Sequence, residues 1–539
     1  MKFKLQSWQI VIIIFFLVEA FINPTGEFPL NDDWAYSKSI EIYCRTGLIE
    51  LSNWIAIPFL SQFFLGIVFS KIFGFSFFGL RLLSILASLF SVYILHLILE
   101  LLQIYKTKSL YVLAVFIFNP LTLSLCNTFL PDSIVLFFAL ISFYFMIKIL
   151  KIPSILNLLF FVIFTVLGTI NRQTGILIPL IFGILFYILT SKNWKNLLIS
   201  IFPFLINILA LSLSEIVLNS NEILPDNYNL QLSRIIDTIV HPSIESICLI
   251  GVNFVSSTLC LGLIILPLTI SNFKVHFKEI FQSKYFKWFF ISYLLLVLLK
   301  VFFTGFINPF VGNIFYPFGT GPIILTGFNT DKIKIYSFLI KSFFIALNIL
   351  GCLSFSFSIY SILKSIINTF KKDINWVSVF FILLFICYLI PICFNYANDR
   401  YLLFLIPFFF VGYIKSYDFE LNKILFIISF LPIFYFSVAS SFDYFRLNQA
   451  RWKALNHLTN ERLILPQQID GGFEFNAWYL SESINYDPSH EGRWWWIVKD
   501  DYIISPKNRK GYFIESRYPF TSIISYPFNE LYVLKKIKK

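Results

Sequence analysis

Residues 78–101 read FGLRLLSILASLFSVYILHLILEL, an apolar run with few charged side chains. A run of about 18 or more apolar residues is long enough to cross a membrane as a helix. Similar runs recur along most of the chain, which is 58% hydrophobic and only 13% charged, whereas soluble domains are about 25% charged. Because a backbone in lipid must satisfy its own hydrogen bonds, helices are the expected spanning elements. The sequence therefore predicts an α-helical polytopic membrane protein.

Outward from this run, the hydropathy pattern predicts thirteen spans. They lie at about 8–23, 78–101, 109–127, 132–150, 154–170, 174–190, 197–217, 245–270, 286–303, 336–362, 376–394, 401–414 and 423–441. Lysines such as Lys106, Lys108, Lys192 and Lys195 cluster in alternate loops, which the positive-inside rule assigns to the cytoplasm. With an odd number of spans, this predicts a cytoplasmic N-terminus and an extracytoplasmic C-terminal region.

The net charge of +12 could suggest a nucleic-acid partner, but the positive-inside pattern accounts for the lysines, and we predict none. Seven cysteines without CxxC spacing predict neither a zinc site nor a disulfide framework. The bias toward Lys, Ile, Phe and Asn is typical of an AT-rich bacterial genome. We predict a location in the bacterial cytoplasmic (inner) membrane, with membrane lipids as the surrounding partners.

The composition becomes more polar and more charged after about residue 441. We predict a membrane domain over 1–441 and a small extracytoplasmic mixed α/β domain over 442–539, with strand-like runs near its end. The first outer loop, about 24–77, is expected to contain interfacial helices, and its apolar piece at 59–74 is interpreted as interfacial or re-entrant. Two further outer segments, 218–244 and 304–335, are long enough to hold structure.

Paired acids occur at the start of the first outer loop, in FPLNDDWAYSKS at 28–39. Charged groups near bilayer depth are costly, and function is the default hypothesis for them. Either Asp32 or Asp33 can be explained as the N-cap of an interfacial helix, but one cap needs only one side chain. Trp34 and Tyr36 are typical of the headgroup level.

The arginines before the tail all fall at the predicted outer side. They are Arg45, Arg81, Arg172, Arg234 and Arg400. Arginine is the better bidentate partner for phosphate, so this distribution suggests an anionic ligand at the outer face.

Several motifs occur in the order and spacing of one membrane enzyme family. Besides the paired acids, they are FGFSFFGLRLLSIL at 73–86, FLPDSIVLFFAL at 129–140, NRQTGILIPL at 171–180, NDRYLLFLIPF at 398–408 and GGFEFNAW at 471–478. Together they resemble the GT-C glycosyltransferases, most closely the branch that contains protein O-mannosyltransferases and the bacterial aminoarabinose transferase. The resemblance implies that the domain over 1–441 is a GT-C catalytic domain. It also implies transfer of a monosaccharide from a polyprenyl-phosphate-linked donor to lipid A, O-antigen, another glycolipid or a protein.

The resemblance also implies roles for individual residues. Asp32 or Asp33 would be the catalytic base of an inverting displacement. The residues expected to hold the donor phosphate are Arg172 and Arg400, followed by Arg81 and Arg234; those expected to contact acceptor or sugar are Asp132, Trp34, Tyr36 and Tyr401. No cofactor is firmly predicted. A divalent metal is left open because some relatives bind one, with His241 as a candidate ligand.

Simpler interpretations of these positions stay open. Asp132 follows a proline and fits the first turn of a helix. Interface anchoring or an ion pair with Asp399 would explain Arg400. His241, followed by Pro242, is more typical of a turn than of a metal ligand.

Two other functions compete with the glycosyltransferase. A transporter or flippase of polyprenyl-linked glycans is the alternative, but such proteins often have repeated halves and broken helices near the midplane, and no repeat is visible in this sequence. A non-catalytic scaffold with a sensory tail would leave the paired acids unexplained.

Overall fold

The computed structural model describes residues 5–272, 282–305, 307–316, 319–326, 338–369, 375–395, 397–416, 421–482, 495–524 and 528–537. Its α-helices are α1 (Ser7–Ile22), α2 (Asp33–Thr46), α3 (Leu60–Phe73), α4 (Phe77–Leu101), α5 (Lys106–Phe118), α6 (Pro120–Cys126), α7 (Asp132–Lys151), α8 (Ile155–Thr169), α9 (Leu177–Leu189), α10 (Trp194–Ser220), α11 (Leu230–Val240), α12 (Ile244–Ile270), α13 (Lys284–Thr304), α14 (Phe338–Thr369), α15 (Trp376–Phe394), α16 (Ile406–Ser416), α17 (Lys423–Asn456) and α18 (Phe473–Leu480). Short 3-10 helices occupy Gln173–Ile176, Asp399–Phe404 and Pro466–Gln468. The predicted outer segment 304–335 lies partly outside the described residues.

Each of the thirteen predicted spans coincides with an apolar helix or helix pair. Within the described residues, 8 helices are long and apolar enough to cross a membrane by themselves, or 9 with the bent pair α5–α6. The bend of 58° has a local cause. Pro120 begins α6, and the side-chain oxygen Oδ1 of Asn119 accepts hydrogen bonds from the N–H groups of Leu121 and Thr122 at 3.1 and 3.0 Å. The predicted helical membrane architecture is confirmed.

The first outer loop is fixed to two other loops through the N-terminus of α3. The backbone N–H groups of Phe59 and Leu60 donate to the carbonyls of Asn171 and Ile170 at 3.1 and 3.0 Å. The buried Gln62 side chain donates to the Phe129 carbonyl at 2.9 Å. Since buried polar groups must be hydrogen-bonded, these contacts hold the segments before Asp132 and Arg172 against the first loop.

The C-terminal part contains a small mixed sheet, as predicted. Strands β3 (Ile469–Asp470), β4 (Tyr502–Ser505), β5 (Tyr512–Pro519) and β6 (Glu530–Lys536) form a four-stranded sheet in the order β3-β4-β6-β5. β3 pairs parallel with β4, and the other pairs are antiparallel. A two-stranded hairpin of β1 (Phe315–Tyr316) and β2 (Gly319–Thr320) lies earlier in the chain.

Helix α17 runs without interruption through the predicted boundary at residue 441 and so connects the membrane helices to the sheet. Its buried Asp443 accepts hydrogen bonds from Ser522, Ile523 and Ile524 at 2.7, 2.6 and 2.8 Å. Its buried Arg451 donates to Glu474 of α18 at 2.7 Å. These charged contacts anchor the C-terminal part to the last long helix.

The Arg451–Glu474 pair generates a stability prediction. Its side chains are 3% and 0% exposed, so Arg451→Met leaves a buried carboxylate without its cation and should cost about 3–5 kcal/mol of unfolding free energy. The matched control is Arg517→Met, because the Arg517 side chain is 60% exposed and surface pairs contribute about 0–1 kcal/mol. Tryptophan fluorescence during denaturation in detergent measures both, and equal unfolding midpoints would contradict the expected difference.

Candidate active site

A polar cavity of about 390 Å³ lies where several loops predicted to be extracytoplasmic converge. Its walls are Asp32, Tyr36, Trp54, Ala56, Ile57, Pro131, Asp132, Arg172, Gln231, Arg400 and Tyr401. These residues come from five separate segments of the chain, each next to the end of a helix or within the first loop. The cavity therefore exists only in the folded protein.

Asp32 and Arg400 form the first of two ion pairs in this cavity. Arg400 Nη1 donates to Asp32 Oδ2 at 2.8 Å, and the indole Nε1 of Trp54 donates to Asp32 Oδ1 at 3.2 Å. Asp32 precedes α2 but makes no capping hydrogen bond with its side chain. Its carboxylate therefore binds side chains of the cavity and does not cap the helix.

Asp399 holds the segment that presents Arg400. Its two carboxylate oxygens accept the backbone N–H groups of Ile314 and Phe315, each at 2.8 Å. Burial raises the pKa of Asp399 to about 7, against the opposing effect of these donors. The ion pair that the simpler interpretation of Arg400 assigned to Asp399 is thus made by Asp32, while the Asp399 carboxylate binds backbone N–H groups.

Asp132 and Arg172 form the second ion pair. Arg172 Nη1 donates to Asp132 Oδ1 at 2.6 Å, and burial acts to lower the pKa of Arg172, but the Asp132 carboxylate outweighs it and raises the pKa. Asp132 Oδ2 is buried and has no hydrogen-bond partner within the described residues. An acceptor oxygen at the cavity wall is therefore left for a ligand group.

Aromatic side chains complete the polar wall. The ring of Tyr401 lies 4.4 Å from the guanidinium carbon of Arg172 and 5.4 Å from that of Arg400, so one ring contacts both cations. Burial raises the pKa of the Tyr36 phenol above its ordinary value, which keeps that hydroxyl protonated. The two cations, two anions and two phenols form a site suited to an anionic ligand that carries hydroxyl groups.

Asp33 lies outside this cavity although it is adjacent to Asp32 in sequence. It is 3% exposed, and its oxygens accept the N–H groups of Leu30 at 2.6 Å and Phe129 at 3.2 Å. Burial raises the pKa of Asp33 to about 7, while the charge of Arg81 and the two backbone donors act in the opposite direction. Asp33 therefore joins the first loop to the segment before α7.

The other residues predicted for the site lie elsewhere. Arg81 is buried and donates to the carbonyls of Pro24 and Phe28, and Trp34 is buried among aromatic rings. Arg234 lies on α11, and His241 lies exposed at the end of that helix. None of these four side chains lines the polar cavity.

A metal site is not formed by the residues that the structure describes. In that part of the chain, no three His, Cys, Asp or Glu side chains are grouped so that they could hold a metal ion. Both cavity carboxylates are instead paired with arginines. The donor set therefore does not fit a divalent metal, and no chemical step is assigned to one.

Five cavity residues were not predicted for the site, namely Trp54, Ala56, Ile57, Pro131 and Gln231, and of these only Trp54 and Gln231 have polar side-chain atoms. Trp54 gave an aromatic signal in the first loop that is equally typical of an interface anchor, and Gln231 gave none beyond its place in a long outer segment. The backbone carbonyl of Gln231 accepts a hydrogen bond from the Asn395 side chain at 3.3 Å, which ties the start of α11 to the end of α15.

A second, apolar cavity of about 1400 Å³ lies among α6, α12, α14, α17 and the segment around β1. Its lining is dominated by side chains such as Leu263, Phe344, Ile428 and Phe436. Phe315 also lines it, and the backbone N–H of this residue is the one that binds Asp399. The segment that carries Arg400 thus contacts a wall residue of the apolar cavity through Asp399 and lines the polar cavity through Arg400 and Tyr401.

Comparison with known proteins gives one family match. Residues 57–218 match the family described as "Dolichyl-phosphate-mannose-protein mannosyltransferase". The matched segment contains Asp132 and Arg172 but neither Asp32 nor Arg400. A search of curated proteins finds no match.

The chain is also similar to two solved membrane proteins. The archaeal oligosaccharyltransferase AglB from Archaeoglobus fulgidus, in complex with an inhibitory peptide and a dolichol-phosphate, is 12% identical with a TM-score of 0.43 over 84% of this chain. This chain spans 58% of that longer protein. ArnT from Cupriavidus metallidurans bound to undecaprenyl phosphate is 12% identical with a TM-score of 0.38, over 86% of this chain and 83% of that one.

Both TM-scores are below 0.5, so the functional proposal is based on the family match and on the geometry of the site. The family match over residues 57–218 agrees with the predicted resemblance to the branch that contains protein O-mannosyltransferases.

Proposed function

We propose that the protein is a glycosyltransferase that moves a monosaccharide from a polyprenyl-phosphate-linked donor to an envelope acceptor. The acceptor is lipid A, O-antigen, another glycolipid or a protein, and the reaction takes place in the polar cavity. The observation that carries the proposal is the convergence of Asp32, Asp132, Arg172 and Arg400 on that cavity. The matching family, named for a dolichyl-phosphate sugar donor, supports the donor class.

Asp32 is the proposed general base. An acceptor hydroxyl becomes a better nucleophile when a positioned carboxylate takes its proton as the new bond forms. The acceptor oxygen then bonds to the anomeric carbon, and the bond between that carbon and the phosphate oxygen breaks. The electron pair leaves with the lipid phosphate, and the proton stays on Asp32. Attack opposite the leaving group inverts the anomeric configuration.

Arg172 and Arg400 are proposed to stabilise the departing phosphate. Both guanidiniums line the cavity and are largely buried, and preorganised cations in a water-poor site stabilise developing negative charge strongly. In the ligand-free arrangement Arg400 covers Asp32 Oδ2. Movement of this guanidinium toward the phosphate would uncover the oxygen that accepts the proton, which couples donor binding to activation of the base.

The remaining cavity residues provide substrate contacts. The free Oδ2 of Asp132 suits a hydroxyl of the sugar or acceptor, and Tyr36 and Tyr401 add further hydroxyl groups. The apolar cavity of about 1400 Å³ suits a lipid chain, since its walls bury apolar surface at a favourable free energy of roughly 25 cal/mol per Å².

Substitution of each of the two adjacent acids should separate an effect on catalysis from an effect on folding. Asp32→Asn should lower turnover at least about 100-fold, the usual contribution of a general base. Asp33→Asn should keep most turnover per folded molecule. It should lower the unfolding free energy by about 1–3 kcal/mol, because one buried N–H loses its acceptor.

The measurement is release of undecaprenyl phosphate from synthetic undecaprenyl-phosphate monosaccharides (a hexose, a pentose and an amino sugar) in proteoliposomes that contain bacterial envelope lipids. Rates are normalised to monodisperse protein. Full activity of Asp32→Asn would refute the assignment of the base.

The phosphate role predicts an effect on donor affinity. Arg172→Lys and Arg400→Lys should each raise the KM for the donor about tenfold, because a lysine keeps the charge but cannot bind a phosphate with a planar fork. Arg446→Lys is the matched control, since Arg446 pairs with Gln449 at 2.8 Å outside the cavity. An unchanged donor KM in both cavity variants would exclude the arginines from phosphate binding.

We also propose the orientation that the lysine pattern favours, with the active site outside the cytoplasm. In a cysteine-free background, Lys507→Cys in the C-terminal part and Lys192→Cys between α9 and α10 place single thiols at exposed positions. A membrane-impermeant maleimide added to intact spheroplasts should label the first and spare the second. The reverse labelling pattern would overturn this topology.

A further inference from the structure

The carboxylate of Asp32 has two described hydrogen-bond donors, and they differ in kind. Arg400 on Oδ2 is a cation that the proposed reaction needs at the phosphate, whereas the indole of Trp54 on Oδ1 is neutral. The donor Trp54 and the acceptor Asp32 are 22 positions apart and belong to different parts of the first loop. If Arg400 leaves Asp32, Trp54 is the donor that stays.

Trp54 is itself held by a cluster of aromatic rings. Its ring centroid lies 6.1 Å from that of Trp34, 5.9 Å from Phe473, 6.2 Å from Trp495 and 5.4 Å from Trp496. Such edge and tilted contacts restrict the orientation of a ring. The indole N–H therefore has little freedom to turn away from Asp32.

Most of this cluster belongs to the C-terminal part of the chain. Trp495 and Trp496 have φ angles of 40° and 55°, a left-handed conformation that bulky residues rarely adopt. Strained backbone of this kind persists where the surrounding structure enforces it, and it concentrates at functional sites. The two tryptophans are thus held against Trp54 at a conformational cost.

We propose that Trp54 is a positioning residue for Asp32. Its indole N–H fixes one carboxylate oxygen, so that the other oxygen faces the acceptor hydroxyl after Arg400 has moved to the donor phosphate. The C-terminal part of the chain supports this arrangement through Phe473, Trp495 and Trp496. The inference rests on the proposed function and adds the group that keeps its base in place.

Trp54→Phe tests the proposal because it removes the N–H and keeps a ring. Turnover per folded molecule should fall about tenfold through loss of base orientation. The KM for the donor should change less than about twofold. A purely structural role would lower the yield of folded protein and leave turnover per folded molecule unchanged, and this result would overturn the proposal.

The matched control is Trp452→Phe. Trp452 is also buried, packs on Phe28 and Phe475, and its Nε1 has no hydrogen-bond partner in the described chain. This variant makes the same chemical change away from the cavity and should leave turnover per folded molecule unchanged. An equal loss of turnover in both variants would overturn the assignment to Trp54.

A double-variant cycle removes dependence on folding yield. On the Asp32→Asn background, adding Trp54→Phe should cause no further loss of residual turnover beyond about twofold, because Trp54 acts only through Asp32. A further tenfold loss would mean that Trp54 contacts the sugar directly, and would overturn the positioning role. Full activity of Asp32→Asn would instead refute the assignment of Asp32 as the base. Failure of the base assignment and failure of the positioning role are therefore distinguishable.

Undecaprenyl-phosphate monosaccharides are the probes throughout, with released undecaprenyl phosphate as the readout.

Discussion

The ion pair between Asp32 and Arg400 is the contact on which the architecture of the cavity depends. It joins residues 368 positions apart, one just beyond the first helix and one just before α16. Two buried charges are tolerable only when each has a partner, so the pair requires the first loop and the Asp399–Phe404 segment to meet. The pair of Asp132 and Arg172 likewise requires the start of α7 to meet the segment that follows the end of α8.

Pairing also makes the cavity electrically balanced. Two carboxylates face two guanidiniums, so neither cation is left unpaired in a region of low dielectric. In the proposed reaction, an arriving anionic phosphate would compete with the carboxylates for the arginines. Each arginine that bound the phosphate would release a carboxylate oxygen, and a released oxygen can accept a proton. The proposal thus links electrostatic balance and proton transfer through the same set of contacts.

The C-terminal part contributes to the site, although its described residues include no charged side chain that lines the cavity. Glu474 accepts the backbone N–H of Asn31 at 3.3 Å, next to Asp32, and pairs with Arg451 of α17. The aromatic cluster adds contacts between Trp54 and the residues around Phe473 and Trp496. A charged network and a stack of rings thus support the first loop from the side of the sheet.

The sequence by itself determined the membrane architecture and indicated a family resemblance. Long apolar runs can be stable only as helices in lipid, and this constraint acts on each segment separately, so the thirteen predicted spans coincide with helices. It also indicated Asp32, Asp132, Arg172 and Arg400, because order and sidedness of short motifs are visible along the chain.

Only the tertiary structure decided between neighbours and assembled the cavity. Asp32 and Asp33 carry the same carboxyl group, but successive positions at a helix start point in different directions, and one faces the cavity while the other binds the N–H groups of Leu30 and Phe129. Trp54 likewise became part of the site through packing against residues more than 400 positions later in the chain. The physical reason is that charge pairing and ring packing depend on distances in space, which a linear order of residues does not contain.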